Sequence, residues 1–154
     1  MIKSDFIYVS FEKNNDHYTG CISLSVMLDN QFDQIAKLKK AENTYSAFIN
    51  KTRKLLLKMT QIRAKKGFIS TLMIWKIGDL IFKLSESLEK QGMKIDRIYE
   101  HLSRDLNRDK SWFKKAVTLR RYIHSRTSIP PQLKWSNFKN CTKRKAIQLN
   151  QSIK

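Results

Sequence analysis

The residues whose spacing could do chemistry lie in "DKSWFKKAVTLRRYIHSR", Asp109 to Arg126. Lys114, Thr118, Arg121 and Ser125 fall at i, i+4, i+7 and i+11, which places them on one side of a helix. Trp112, Ala116, Leu119 and Ile123 repeat the same spacing on another side, and Lys115 and Tyr122 flank the first set. A face made of ammonium, guanidinium and hydroxyl groups, backed by an apolar face, suits contact with phosphates and base edges in a nucleic-acid groove. Arg121 is the expected guanine reader, because a guanidinium can make a paired hydrogen bond to one base edge. Lys114 and Lys115, near the helix start, suit either base or phosphate contact, and Lys110 is a further expected DNA contact. Arg126, Lys134, Lys139, Lys143, Arg144 and Lys145 are the expected phosphate contacts of the flanks. A solvated amphipathic helix, or a helix that contacts protein or RNA, would carry the same pattern and stays an alternative.

The chain offers little for other chemistry. His101 and His124 are isolated on expected helices, and a structural or surface role suits each better than catalysis. Cys21 and Cys141 have no partner at metal-ligand spacing and read as structural. There is no phosphate-binding glycine loop, no dinucleotide turn and no HExxH pattern. The acids between 79 and 109 alternate with bases and read as i, i+4 support. A non-catalytic protein without cofactor or metal is therefore expected.

The composition favours an anionic partner. The formal net charge is +18 over 154 residues, and a polyanion relieves self-repulsion of that size. The charge is uneven. Residues 1–30 hold two lysines and four acids, net −2, so the remainder carries +20. Beyond Asp109 there are twelve Lys or Arg and no acid. No signal-peptide order and no 18-residue apolar window is seen, so a cytoplasmic, nucleoid-associated protein without a membrane is expected.

The elements that must position these residues can be read from apolar spacing. With four Gly and two Pro in the chain, the fold expected is mainly α: a helical bundle containing a helix-turn-helix, with a small N-terminal β-hairpin. Residues 1–30 form the hairpin extension from "DFIYVSFE" and "YTGCISLSVML", where Ile22, Leu24, Val26 and Leu28 alternate with polar positions. Residues 31–154 form the helical DNA-binding domain, with the helix-turn-helix at about 95–125. A long helix is predicted from Phe32 to Gly67, capped by Asp29 or Asn30, with "ENT" at 42–44 as its expected break. Its outer face carries Lys51, Arg53, Lys54, Lys58, Arg63, Lys65 and Lys66, which read equally as solvated charge or as phosphate contacts. Gly67 to Gly92 is the predicted central helix, where interior Gly78 implies a close helix crossing.

Two shorter helices follow, the first with the inner stripe Ile95, Ile98, Leu102 and Leu106, and the second reaching from Asp109 or Ser111 to Arg126. "TSIPPQLKW" must be extended or turned, because Pro130 and Pro131 bias the residue ahead of each away from helix. A last helix or a wing-like ending follows. Trp135 is either a core plug or a stacking platform for bases. A helix-turn-helix carries its second helix into a major groove, so double-stranded DNA is the expected partner. Structured RNA remains an alternative, as does a protein-interaction subunit of a nuclease or mobile-element complex. A homodimer through the long helix or the hairpin also stays open.

Three segments together resemble the N-terminal domain of the DUF1016 family, the YhcG-like proteins of bacteria and archaea. "LMIWKIGDLIFKLSE" is similar to the family's tyrosine-or-apolar, Trp, Ile, Gly segment, and "IDRIYEHLSRDLNRDKSWFKKAVTLRRYIHS" resembles its helix-turn-helix span. "LKWSNFKNC" resembles its "LxWSHxrxL" signature, with Asn137 where histidine is usual. The likeness spans about residues 45–145. It implies a prokaryotic DNA-binding helical domain, commonly joined to a C-terminal nuclease of the PD-(D/E)XK type. The metal-holding residues of that nuclease have no counterpart in this sequence, so the resemblance implies binding and not cleavage.

Overall fold

In a computed structural model, the structure describes residues 6–15, 17–22, 31–140 and 142–152. Strands β1 (Ile7–Asn14) and β2 (His17–Cys21) are antiparallel, with Ser10 opposite Cys21 and Asn14 opposite His17. The expected hairpin is thus present, with a tight turn in which Asn15 takes a positive φ of 57°. Leu24, Val26 and Leu28 of the expected second strand, the caps Asp29 and Asn30, and Cys141 lie outside the described residues. Cys21 is exposed at the end of β2, so packing does not account for it.

Helix α1 spans Gln31–Lys66 without interruption, about 54 Å at 1.5 Å per residue. The break expected at residues 42–44 is absent, and the side chains show why. Ala41 and Tyr45 on either side are fully buried. The Glu42 carboxylate accepts the Gly20 amide at 2.6 Å, and Thr44 Oγ1 donates to the Lys40 carbonyl at 2.9 Å, which a helix tolerates. Gly67, at φ +80°, ends the helix.

Helix α2 (Thr71–Glu89) begins at Ser70, whose hydroxyl accepts the Leu72 amide at 3.2 Å. It is the most buried helix of the fold, with Ile74, Ile77 and Leu88 fully enclosed. The chain then turns through Gly92 and forms β3 (Met93–Ile95), which pairs in parallel with β1, Ile7 opposite Met93. The sheet order is β2-β1-β3. This corrects the expectation that Ile95 begins the next helix: it is a buried strand residue, and α3 starts only at Ile98, after Arg97 in a left-handed conformation. Three residues of strand are too short to show a period, and the partner strand lies far away in sequence.

Helices α3 (Ile98–Leu106) and α4 (Lys110–Tyr122) are consecutive, joined by Asn107 at φ +54° and the α4 cap residue Asp109. Short 3-10 turns at Arg126–Ser128 and Trp135–Asn137 lead to α5 (Thr142–Ser152). The described chain is mostly helical, with a small sheet near its N-terminus.

One core joins these elements. Phe11 of β1 stacks on Tyr45 of α1 with ring centroids 4.3 Å apart. The Tyr45 hydroxyl donates to the carboxylate of Asp105 on α3, which also accepts from Arg104 at 2.8 Å. His101 accepts the Phe11 amide through Nε2 at 2.9 Å, and its Nδ1–H donates to the Arg97 carbonyl at 3.2 Å. Arg53 donates to the Asp105 carbonyl at 3.0 Å and to the Tyr18 hydroxyl at 3.2 Å. Asp105 is therefore a long-range polar tie and not i, i+4 support. Burial lowers the His101 pKa below its ordinary value, which keeps the ring neutral.

Candidate nucleic-acid interface

Helix α4 is gripped from behind. Phe113, Ala116 and Leu119 are fully buried on its inner face, as is Ile123 at its cap. Phe113 was not among the inner residues expected from the wheel, and Trp112, which was, is only half-buried. At the crossing with α2, a Cβ on Gly78 would sit 2.1 Å from the Ala116 carbonyl oxygen. The close approach implied by that glycine is present. Beside it, Arg120 Nε donates to Asp79 at 2.8 Å while its guanidinium lies over the Phe82 ring at 4.4 Å. Burial opposes the charge on Asp79, but hydrogen bonds from Arg120 and Lys83 prevail and hold its carboxyl below the usual range. Arg120 thus serves the fold.

The helix is shorter than expected. Trp75 Nε1 donates to the Ile123 carbonyl at 2.7 Å, and Ile123 is extended at φ −118°, ψ 110°. Ser125 consequently does not continue the face of Lys114, Thr118 and Arg121. Its hydroxyl instead accepts the Thr127 amide at 3.3 Å and caps the first 3-10 turn. His124, also expected on a helix, lies in the same non-helical segment.

What remains outward on α4 is a stripe of Lys110, Ser111, Lys114 and Arg121, all exposed, with Thr118 and Lys115 partly covered. Thr118 Oγ1 donates to the Lys114 carbonyl at 2.8 Å. Lys110 pairs with Glu100 at 3.5 Å on the surface, and Lys114 Nζ lies 5.6 Å from the Tyr99 ring. The two margins differ in charge. On one side Arg121 lines a groove with Phe82, Glu86, Glu89 and Tyr99. On the other, Lys143 of α5 sits 5.3 Å over the Tyr122 ring, with Arg144 exposed beside it in sequence.

The remaining expected contacts fall into separate places. Arg126 lines a groove of about 720 Å³ between α1 and α2, together with Lys51, Lys54, Lys58, Lys76 and Lys83. Asp79 is the sole acid lining it, and it is already bound to Arg120 and Lys83. Among the described residues, Lys51, Lys54, Lys58, Lys76 and Arg126 take part in no ion pair. Lys76 and Lys83 were missed at the sequence level because their α2 segment reads as apolar. Lys134 lies over the Phe68 ring at 5.4 Å, and Lys139 borders a hollow with Arg63 and Arg108. Lys145 donates to the Asn137 carbonyl, fastening α5 to the preceding turn.

Trp135 is buried at 5 % exposure and packs on Phe138, which favours the core plug over a base platform. Among the described residues no group of His, Cys, Asp and Glu could hold a metal, and no helix is long and apolar enough to cross a membrane. No protein-family model, curated protein or solved structure matches this chain.

Proposed function

We propose that this protein binds double-stranded DNA without cleaving it, with α3, the Asn107–Asp109 turn and α4 serving as a helix-turn-helix. The observation that carries the proposal is the division of cations. Arg53, Arg104 and Arg120 are hydrogen-bonded within the fold, whereas Lys114, Arg121, Lys51, Lys54, Lys58 and Arg126 are exposed and, among the described residues, take part in no ion pair. Clustered outward cations with few acids among them suit a phosphate backbone, whose binding releases condensed counterions. Glu86 and Glu89 repel phosphate beyond Arg121, so the duplex approaches α4 from the Lys115, Tyr122 and Lys143 margin. Lys114, Thr118 and Arg121 then meet the base edges. Lys143, Arg144 and the groove cations hold the backbone. The rigid seat of α4 on α2 supports this reading, since base contact needs a helix fixed in position. Membership of the YhcG-like family and association with the nucleoid belong to the same proposal.

The test is a titration of one duplex as DNA and as RNA at several salt concentrations, with the wild type and with Lys114→Ala plus Arg121→Ala. The wild type should prefer DNA and weaken steeply with salt, by about 0.9 in logarithmic slope for each phosphate neutralised. The double variant should lose the preference for DNA while keeping most of its salt slope. Equal binding of both duplexes, untouched by the substitutions, would refute groove reading and leave general polyanion binding.

A further inference from the structure

Four segments meet at the C-terminal end of α1. Arg63 comes from its last turn, Phe68 from the connection to α2, Arg108 from the turn before α4, Trp112 from the first turn of α4, and Ser136 and Lys139 from the second 3-10 turn and its exit. They line an open hollow of about 340 Å³. Its wall is braced by backbone pairing: Trp135 donates to the Ile69 carbonyl at 2.8 Å, and Thr71 donates to the Leu133 carbonyl at 2.9 Å. The backbone of this wall is therefore fixed by its own pairing, while Arg63 and Lys139 are exposed at the rim of the hollow.

Three cationic side chains line this hollow and no acid does. Among the described residues none of the three takes part in an ion pair. The neighbouring Asp109 carboxylate is engaged by the Ser111 hydroxyl. Arg108 is half-buried, and its guanidinium lies 4.8 Å from the centroid of the Trp112 ring. Burial, and then the nearness of Arg63, push the Arg108 pKa below its ordinary value. A partly desolvated arginine beside a second arginine is costly unless an anion offsets both. The hollow also offers partly buried aromatic surface at Phe68 and Trp112, one face of each ring being covered by Lys134 and Arg108 respectively. A volume of this size takes one nucleotide and is too small for a duplex.

We infer that the Arg63, Arg108 and Lys139 hollow binds a single phosphate-bearing nucleotide, its phosphoryl group between the two guanidinium groups and its flat ring against Trp112 or Phe68. The phosphate is held by charge-assisted, forked hydrogen bonds. The ring adds stacking that does not depend on base identity. The ligand is either a free mononucleotide or the phosphorylated end of a nucleic-acid strand. This site is distinct from the outward stripe of α4, although Arg108 belongs to the Asn107–Asp109 turn of the proposed helix-turn-helix and Lys139 is among the expected phosphate contacts.

The test follows Trp112 by fluorescence on the full chain, with Trp112→Phe to assign the signal. The probes are deoxyadenosine 5′-monophosphate, deoxyadenosine, and a short single strand with or without a 5′-phosphate. The monophosphate should bind at least about ten-fold more tightly than the nucleoside, and Arg63→Gln plus Arg108→Gln should weaken it about ten- to hundred-fold. Arg63 is exposed, so Arg63→Gln alone, expected to lose about ten-fold, keeps the test valid if the double variant misfolds. Lys114→Ala plus Arg121→Ala should leave nucleotide binding in place even if it abolishes duplex preference, which separates this inference from the duplex reading. Tighter binding of the phosphorylated strand than of the free nucleotide assigns the strand end as ligand, and the reverse assigns the mononucleotide. Equal binding of nucleotide and nucleoside, absence of binding, or indifference to both arginine substitutions would overturn the inference.

Discussion

Gly78→Ala should destabilise this protein, although alanine is the better helix former. The added Cβ would lie 2.1 Å from the Ala116 carbonyl oxygen and 3.1 Å from the Arg120 Cβ. A carbon and a carbonyl oxygen settle no closer than about 3.3 Å, so α2 and α4 must part by roughly 1.2 Å at the crossing. The obstacle is backbone, which cannot rotate aside as a side chain can. Parting the helices loosens a layer that includes the fully buried Ile74, Ile77, Phe113 and Leu119. Overpacking that forces the backbone to shift costs about 1–3 kcal/mol, occasionally more, and a contact this short belongs at the upper end, while the helix propensity of alanine returns at most about 1 kcal/mol. The net expectation is a loss of about 2–3 kcal/mol, or roughly 5–10 °C in melting temperature for a chain of this size. Urea unfolding followed by circular dichroism measures it, with Ser87→Ala, exposed on the same helix, as the control for propensity alone. A Gly78→Ala midpoint equal to or above the wild type would refute the close crossing and the fixed seat of α4.

Tyr45→Phe keeps the stack on Phe11 but removes the hydroxyl donor to buried Asp105; unfolding titrations should show a loss of about 1–3 kcal/mol, and an unchanged midpoint would dismiss the tie. The neutral, buried His101 predicts a pH dependence. Its folded pKa is depressed, so below an unfolded value of about 6.5 the unfolded chain takes up the proton first and stability falls with pH. The stability of the wild type should therefore decline from pH 7 to pH 5, and His101→Gln should be less stable at pH 7 but flatter across that window. A wild-type profile as flat as that of the variant would remove His101 as the cause.

The parts of the fold that follow from local periodicity were legible in the residues. The buried stripe of α2 repeats over five turns, Gly78 stands out within it, and the β1/β2 hairpin shows alternation around a turn-forming stretch. What was hidden depends on partners distant in sequence. Residues 93–95 resemble the start of a helix until β1 is there to pair with them. The end of α4 at Tyr122 is set by the Trp75 indole taking the Ile123 carbonyl, a contact across 48 positions. Phe113 and Trp112 are adjacent aromatics, and which turns inward is decided by α2 and α3 and not by the wheel. The signal that could have favoured Phe113 is its spacing of three to Ala116 and six to Leu119, as regular as that of Trp112.

The candidate site was less legible than the fold because charge in a sequence carries no direction. Arg53 reads as one more cation on the outer face of α1, yet it reaches the Asp105 carbonyl and the Tyr18 hydroxyl. Arg120 and Arg121 are neighbours in a basic pair, but Arg120 is bound to Asp79 and Arg121 is exposed. Lys76 and Lys83, lost in an apolar segment, instead join the α1 lysines in one groove. The formal +18 therefore overstates the charge at the surface proposed to meet a polyanion in some places and hides its concentration in others. If the protein binds duplex DNA as proposed, a cation held within the fold neutralises no phosphate and frees none of the DNA's condensed counterions, so the salt slope should be set by the outward groups. Arg120→Gln tests this division from the inner side. It leaves Asp79 with Lys83 alone and should lower stability while the salt slope stays unchanged. A slope reduced by a full phosphate in a folded Arg120→Gln variant would place Arg120 on the nucleic acid and break the division on which the duplex reading rests.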